Sequence, residues 1–369
     1  MPTMKTIAAE AGVSVMTVSL ALRNHPRISA PTRQKVKEAA ERLGYRSNPM
    51  VASLMTHIRS SRPISYQANL GFLVDDSKKL NAHRMIEMAH RGIIKRAGEL
   101  GFLVDVFSLD EHGSRKGRLE QVLRSRNIQG VILAPLRQAG NLDGMDCSHW
   151  SAAALGNTVL SPHFHKVTPH QYQGLQLVIE NLERKGYKRI GLAIEPLVDD
   201  KVNHYWSSCM AGYHLRIPAR QRVPVFLADL TAAPLKTWLD KHQPDVVVGH
   251  DGLHFWLREL GLRVPEDIAF ACVSVPSDSH PSFSGLNQNW QMIGSAAVDS
   301  VVAQIYRNER GVPDSPKTIM LDGFWEEGTT APDIQGALAS PEATSSPAPR
   351  RRRGPVPREQ RQDPPPSRI

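Results

Sequence analysis

The chain has 369 residues, 41% of them apolar, which suits two or three domains with sizeable cores. No apolar stretch reaches the roughly 18 residues of a membrane span, and Met1-Pro2-Thr3-Met4-Lys5 lacks the apolar core of a secretory signal, so a cytoplasmic protein with no membrane partner is expected. The net charge of +9 is uneven: residues 1–62 carry +7 and residues 340–369 carry +4, leaving −2 for the middle, a distribution that suits a polyanion partner at the ends of a near-neutral body.

From the N-terminus, Thr6 to Ala11 reads as a short helix with Ile7 and Ala8 inward. Gly12 stands where the chain must turn sharply. Ser14 is placed to cap a second helix, Val15 to Leu22, whose buried side is Val18, Ala21 and Leu22. Ala8 permits close helix approach, Gly12 the turn, and Val18 locks the second helix, a helix-turn-helix pattern. Ser29 can cap a third helix from Ala30 to Leu43, with Val36, Ala39, Ala40 and Leu43 inward and Gly44 ending it. In such a head the second helix enters the major groove N-terminus first. Val15, Met16 and Leu20 then face base edges, while Ser14, Thr17, Ser19, Arg23, Arg27, Ser29 and Thr32 reach phosphates; Thr3, Met4 and Tyr45 complete the expected DNA-contacting set.

Further along, apolar runs alternate with amphipathic ones. Strands are expected at Asn69–Asp75, Phe102–Phe107, Gln129–Leu133, Arg189–Ile194, Val223–Leu227, Val246–Gly249 and Ile268–Val273, with helices over Ala82–Leu100, around Arg115–Ser125 and over Tyr172–Lys185. That alternation implies parallel sheets covered on both faces. About 265 residues of it exceed one sheet, so two α/β subdomains are expected, with ligands at the carboxyl ends of the strands in the cleft between them. His163, His165 and His170, with Cys147 and His149, match no standard zinc spacing. No GxSxG, HExxH or Gly-rich phosphate loop occurs. Neither an enzyme, a metal nor a cofactor is expected, and the separated Cys147, Cys209 and Cys272 argue against a disulfide framework. The last stretch, with Pro341 to Pro349, Arg350 to Arg353 and Pro364 to Pro366, cannot bury enough apolar area to order itself.

The run from Thr6 to Ser19, then Arg27-Ile28-Ser29, Thr32 to Val36 and Leu43 to Pro49, resembles the N-terminal signature of the LacI/GalR family of transcription regulators, in order across residues 3–55. Downstream, Gly261 to Ile268, Tyr172-Gln173-Gly174, Gly186 to Gly191, Ala211-Gly212-Tyr213 and Ile293-Gly294 with Ala296-Ala297 resemble the family's core over roughly 68–322. The resemblance implies a helix-turn-helix head over 1–48, a hinge helix and linker over 49–62, an effector-binding and dimerisation core of two Rossmann-like, periplasmic-binding-protein-like subdomains over 63–331, and a disordered basic tail over 332–369. It implies a repressor that binds a pseudo-palindromic DNA operator as a homodimer, with Leu54 wedging into the minor groove. It also implies a sugar-like effector held by His170, Cys209, Asp251 and Trp290.

Several positions depart from that family. Leu20 and Ala52 stand where many members have arginine, so the operator cannot be copied from relatives. His250 replaces an asparagine beside Asp251, His170 and Gln171 replace an Asp-Asn pair, Cys209 replaces an effector-clamping arginine, and Ser274 or Val275 falls near a usual aspartate. An effector-independent regulator is therefore the alternative expectation, ahead of a solute-binding protein or an enzyme.

Overall fold

The computed structural model describes residues 3–22, 25, 27–45, 68–76, 84–109, 117–142, 144–276 and 282–335. The expected hinge with Ala52 and Leu54, the expected phosphate contact Arg23 and nearly all of the expected tail lie outside these residues.

Three helices make the head: α1 (Met4–Ala11), α2 (Val15–Leu22) and α3 (Ala30–Arg42). α1 begins earlier than the apolar pattern suggests because Thr3 and Thr6 form a reciprocal capping box. Thr3 Oγ1 accepts from the Thr6 N–H at 3.3 Å, and Thr6 Oγ1 accepts from the Thr3 N–H at 2.8 Å. Gly12 ends the helix in the left-handed region at φ +62°, and the Val13 N–H donates back to the Ala8 carbonyl at 3.0 Å. α1 and α2 then meet at 101°. Ile7, Val18 and Val36 are fully buried between the helices, with Ala8, Ala11, Ala21, Ala39 and Ala40 around them; Leu22 and Leu43 are only partly covered. Each fully buried aliphatic side chain contributes about 1.5–3 kcal/mol.

The body follows in chain order: β1 (Ala68–Val74), α4 (Arg84–Glu99), β2 (Phe102–Ser108), α5 (Arg118–Ser125), β3 (Ile128–Leu133), β4 (Gly140–Asn141), β5 (Ser151–Leu155), β6 (Val159–Ser161), β7 (His165–Pro169), α6 (Gln171–Arg184), β8 (Ile190–Ile194), α7 (Pro196–Lys201), α8 (Tyr205–Arg216), β9 (Phe226–Leu227), α9 (Ala232–His242), β10 (Val246–Gly249), α10 (Asp251–Glu259), β11 (Ala269–Cys272), β12 (Ser284–Asn287), α11 (Trp290–Arg307), β13 (Thr318–Leu321) and β14 (Phe324–Glu326). They build two six-stranded sheets, ordered β13-β7-β5-β3-β1-β2 in lobe 1 and β14-β12-β11-β10-β8-β9 in lobe 2. Every pairing is parallel except β12 with β14. Central strands are buried on both faces, as helix-covered parallel sheets require.

The chain crosses between lobes three times: after β7, after β12 and between β13 and β14. The crossings touch. The His170 N–H donates to the Leu321 carbonyl at 2.8 Å, and Gln288 Nε2 donates to Gln171 Oε1 at 3.4 Å. One expectation needs correction: the strand over Val223–Leu227 shrinks to Phe226–Leu227. Pro224 has no N–H for a ladder, and Ala219–Gln221 coil into a 3-10 turn just before it.

Candidate functional site

In the head, Val15, Met16, Ser19 and Leu20 lie on the arc of α2 opposite Val18 and Ala21. Met16 is 69% exposed and Val15 41%, while Ser19 and Leu20 are half-buried. This face offers methyl and thioether groups rather than guanine-reading donors, which suits thymine methyl contact and shape readout. The hydroxyls bond locally. Ser14 Oγ accepts from the Thr17 N–H at 3.0 Å and lies 2.9 Å from Thr17 Oγ1; Ser29 Oγ accepts from the Thr32 N–H at 3.4 Å and lies 2.8 Å from Thr32 Oγ1. These pairs cap α2 and α3 and still leave lone pairs outward. Arg27, Thr3 and Met4 are exposed; Tyr45 is half-buried against the head core, its N–H donating to the Ala40 carbonyl.

In the body, the parallel strands bring their carboxyl-end loops together. Lobe 2 presents Glu195 after β8, His250 and Asp251 after β10, and Gln288 and Asn289 after β12; lobe 1 presents Asp75 after β1 and His170 after β7. Asp75 Oδ2 accepts from the Arg137 N–H at 2.7 Å, with the Arg137 guanidinium at 3.5 Å.

Among the four expected effector residues, Asp251 alone is exposed. Its Oδ1 accepts from the Gly252 N–H at 3.0 Å, and the His250 imidazole holds its carboxyl below the usual range despite partial desolvation. His250 occupies the N-cap of α10: Nδ1 accepts from the Gly252 N–H at 3.1 Å and Nε2 faces Glu195 Oε2 at 3.2 Å. Burial alone would lower the His250 pKa, but Asp251 and Glu195 together raise it. His170 caps α6 through Nδ1, which accepts from the Gln173 N–H at 3.3 Å, and lines a cleft of about 370 Å³ with Tyr172, Gln173, Glu180 and Asp322.

Two of the four, Cys209 and Trp290, lie within the cores. Cys209 is 1% exposed inside the apolar cluster of lobe 2, where burial pushes its thiol up to about 11, so it packs rather than offers a donor. Trp290 is 7% exposed in the lobe 1 core, and its indole N–H donates to Gln288 Oε1 at 2.9 Å, so no open ring face remains for stacking in this arrangement. Sequence reasoning missed Glu195 and Gln288. Glu195 directly follows the strand expected at Arg189–Ile194, and that position was the available signal; nothing local marks Gln288. Of the histidines weighed for metal binding, His165 is buried, its Nδ1 accepting from the Lys317 N–H at 2.9 Å. Among the described residues no three His, Cys, Asp or Glu side chains meet in metal-binding geometry, and no single helix is long and apolar enough to cross a membrane.

Residues 3–48 match the family described as bacterial regulatory proteins, lacI family, and residues 179–322 match the periplasmic binding protein-like domain. The HTH-type transcriptional regulator MalR of Streptococcus pneumoniae is 25% identical over 51% of this chain and 55% of its own length, so the chain spans about half of that relative. The HTH-type transcriptional regulator CelR of Thermobifida fusca is 24% identical over 82% of this chain and 92% of its own. Among solved structures, a lac repressor dimer bound to operator and the anti-inducer ONPF shares the fold, with a TM-score of 0.53 and 21% identity over 89% of this chain and 99% of that one.

Proposed function

We propose that the chain is a LacI-family, cytoplasmic transcription regulator, acting as a repressor, that reads a pseudo-palindromic DNA operator as a homodimer; the matches of residues 3–48 to the lacI family and of residues 179–322 to the periplasmic binding protein-like domain support this reading. It works by binding and not by catalysis. In this reading residues 1–48 are the head, 49–62 the hinge, with Leu54 as its wedge, 63–331 the sensing and dimerising core, and 332–369 a basic tail. The observation that carries it is the exposed Val15–Met16 face of α2 on a bundle locked by Ala8, Gly12 and Val18. One such helix touches too few base pairs for useful specificity, so two heads must act together. Selection of random duplexes by the full chain tests this. The expected product is a pseudo-palindrome with half-site centres about one helical turn apart; asymmetric motifs, or no enrichment, would overturn it.

The core takes a small sugar-like molecule between its lobes, with Asp251 accepting from hydroxyls and His170 at the lobe crossing. The lac repressor structure, holding both operator and a small anti-inducer, supports the pairing of the two activities. A second reading, an effector-independent regulator, is favoured by the withdrawal of Cys209 and Trp290 into the cores.

A further inference from the structure

His250 stands at the carboxyl end of β10, where the family resemblance calls for asparagine, and it is wedged between two carboxylates. The imidazole is the most covered of the three side chains, 25% exposed against 36% for Glu195 and 64% for Asp251, so a ligand entering the cleft meets Asp251 first. The hydrogen bonds assign the neutral tautomer. The Gly252 N–H donates to Nδ1 at 3.1 Å, so Nδ1 carries a lone pair, and the ring proton belongs on Nε2, 3.2 Å from Glu195 Oε2. In that state Asp251 receives only a share of the Gly252 N–H, at 3.0 Å to Oδ1, and its carboxylate is otherwise open to solvent.

A second proton rearranges these bonds. Nδ1 then has an N–H and no lone pair, so it can no longer cap α10. Asp251 Oδ1, 3.6 Å away, is placed to receive the new N–H. The Gly252 N–H loses one of its two acceptors and keeps the other, Asp251 Oδ1. The cap of α10 thus passes from His250 to Asp251, and a carboxylate that was open becomes the partner of both an imidazolium and a backbone N–H. Glycine at 252 lets the ring lie this close: a Cβ there would stand 2.7 Å from His250 Cε1 and 3.0 Å from Nδ1.

The neighbouring elements leave this exchange to the three residues. Cys272, at the end of β11 beside Gly249, is buried and its thiol is pushed up to about 12, so it stays neutral. His254, on the next turn of α10, is buried against Phe270 and Phe283, and burial holds its pKa below the usual value. On lobe 1, Asp75 and Arg137 pair with each other at 3.5 Å. Among the described residues the charges acting on His250 are those of Asp251 and Glu195, which outweigh its burial and favour the protonated ring.

We propose that His250 is a proton-operated gate on the cleft: neutral, it caps α10 and leaves Asp251 open to a hydroxyl-bearing ligand; protonated, it takes Asp251 for itself, so that acid and ligand compete for one carboxylate. This rests on the reading of Asp251 as the residue that accepts from the ligand's hydroxyls. A neutral sugar then binds with loss of the Nδ1 proton to solvent, and its affinity rises with pH through the His250 midpoint. Asparagine at this position would cap the helix equally and carry no such dependence.

The test uses the full chain with isotope-labelled histidine, the His250 resonances being assigned by their loss in H250N. NMR is expected to show the Nε2–H tautomer at high pH and a midpoint above the free value of about 6.5, which E195Q and D251N each lower. The Nδ1–H tautomer, or a midpoint that neither variant moves, overturns the gate. Xylose, galactose and trehalose are then titrated by calorimetry at about pH 5.5 and about pH 8, in buffers of different ionisation enthalpy, which reveal proton release. A sugar that binds is expected to gain about three- to tenfold in affinity at the higher pH and to release protons at the lower one, since one linked proton shifts log K by at most about 1 per pH unit. H250N should bind it equally at both. Equal wild-type affinity at the two pH values, or the same dependence in H250N, overturns the competition and leaves the sugar-binding reading standing. If none of the three sugars binds at either pH, the competition is overturned together with that reading.

Discussion

Gly12 sets the head's geometry through one backbone torsion. At φ +62° an L side chain costs about 1–2 kcal/mol even with open space around it, and only Lys35 Nζ lies near the missing Cβ, at 3.9 Å. Gly12→Ala should therefore destabilise the head by that amount without a steric clash. Amide exchange at Val18 and Ala21 should quicken, while the fluorescence of the six tryptophans, all in the body, stays unchanged; unchanged exchange would mean that the turn tolerates the substitution. His250 gives a second residue-scale prediction. Its folded pKa lies above the free value of about 6.5, so the stabilisation from Asp251 and Glu195 is complete below about pH 6.5 and fades as pH rises through the raised value. Melting temperature should fall as pH rises above about 6.5, and His250→Gln should remove that part of the fall. An identical pH profile in the variant would show that the ion pair does not form. Gly12, Ser14 and Val18 were legible in the sequence because a turn, a cap and a core contact are local. The His250–Glu195 pair was not, since 55 residues separate partners that only the parallel sheet brings to one end. The burial of Cys209 and Trp290 was not legible because position in a family order does not say which neighbours cover a side chain.

Helix α11 shows what elements demand of each other. It crosses α4 so closely that a Cβ on Gly294 would lie 2.1 Å from the Ala89 carbonyl oxygen, and one on Gly92 would lie 1.9 Å from the Gln291 carbonyl oxygen. Both obstacles are backbone and cannot rotate away. Gly294→Ala should therefore force the helices apart, at a cost toward the upper end of the roughly 1–3 kcal/mol typical of overpacking. A denaturant titration followed by tryptophan emission reads this directly, and a midpoint equal to wild type would refute the close crossing. The same helix explains a strand that the sequence concealed. β5 is Ser151-Ala152-Ala153-Ala154-Leu155, and alanine is a poor strand former. It pairs because β3 and β7 flank it, and Gln304 of α11 bonds both the N–H and the carbonyl of Ala152. The aliphatic- and aromatic-rich β1, β3, β8 and β10 were legible because their side chains carry both the strand preference and the burial. β9 was overextended because Pro224 interrupts the apolar run that suggested it.

At the scale of the molecule, the three lobe crossings are the route by which, on the proposed reading, a ligand in the core would act on the heads. The alternation of strands and helices announced two sheets, but it could not announce that α11 packs on lobe 1 after β12 has completed lobe 2, because that depends on non-local pairing. Gln288 sits where the lobes join. Its Nε2 donates to the Val273 carbonyl at 2.9 Å in lobe 2, and its Oε1 receives the Trp290 indole N–H from the lobe 1 core. A buried amide satisfied on both sides holds one arrangement of the lobes, since moving them would leave polar atoms unpaired at about 1–3 kcal/mol each. A ligand shifts that arrangement only if it binds one state better than the other, and the same free energy must then appear at the operator. Titration of neutral sugars, amino sugars and nucleobases into the full chain, with melting and operator affinity measured together, separates the two readings of the core. A sensing core predicts a ligand that moves both quantities and loses both effects with Asp251→Ala, whose exposed carboxylate can be removed without opening a cavity. A ligand that moved melting alone would occupy a site uncoupled from the heads. If no ligand in the panel moves either quantity while operator binding persists, the regulator works without an effector, and its cellular concentration sets occupancy of the DNA.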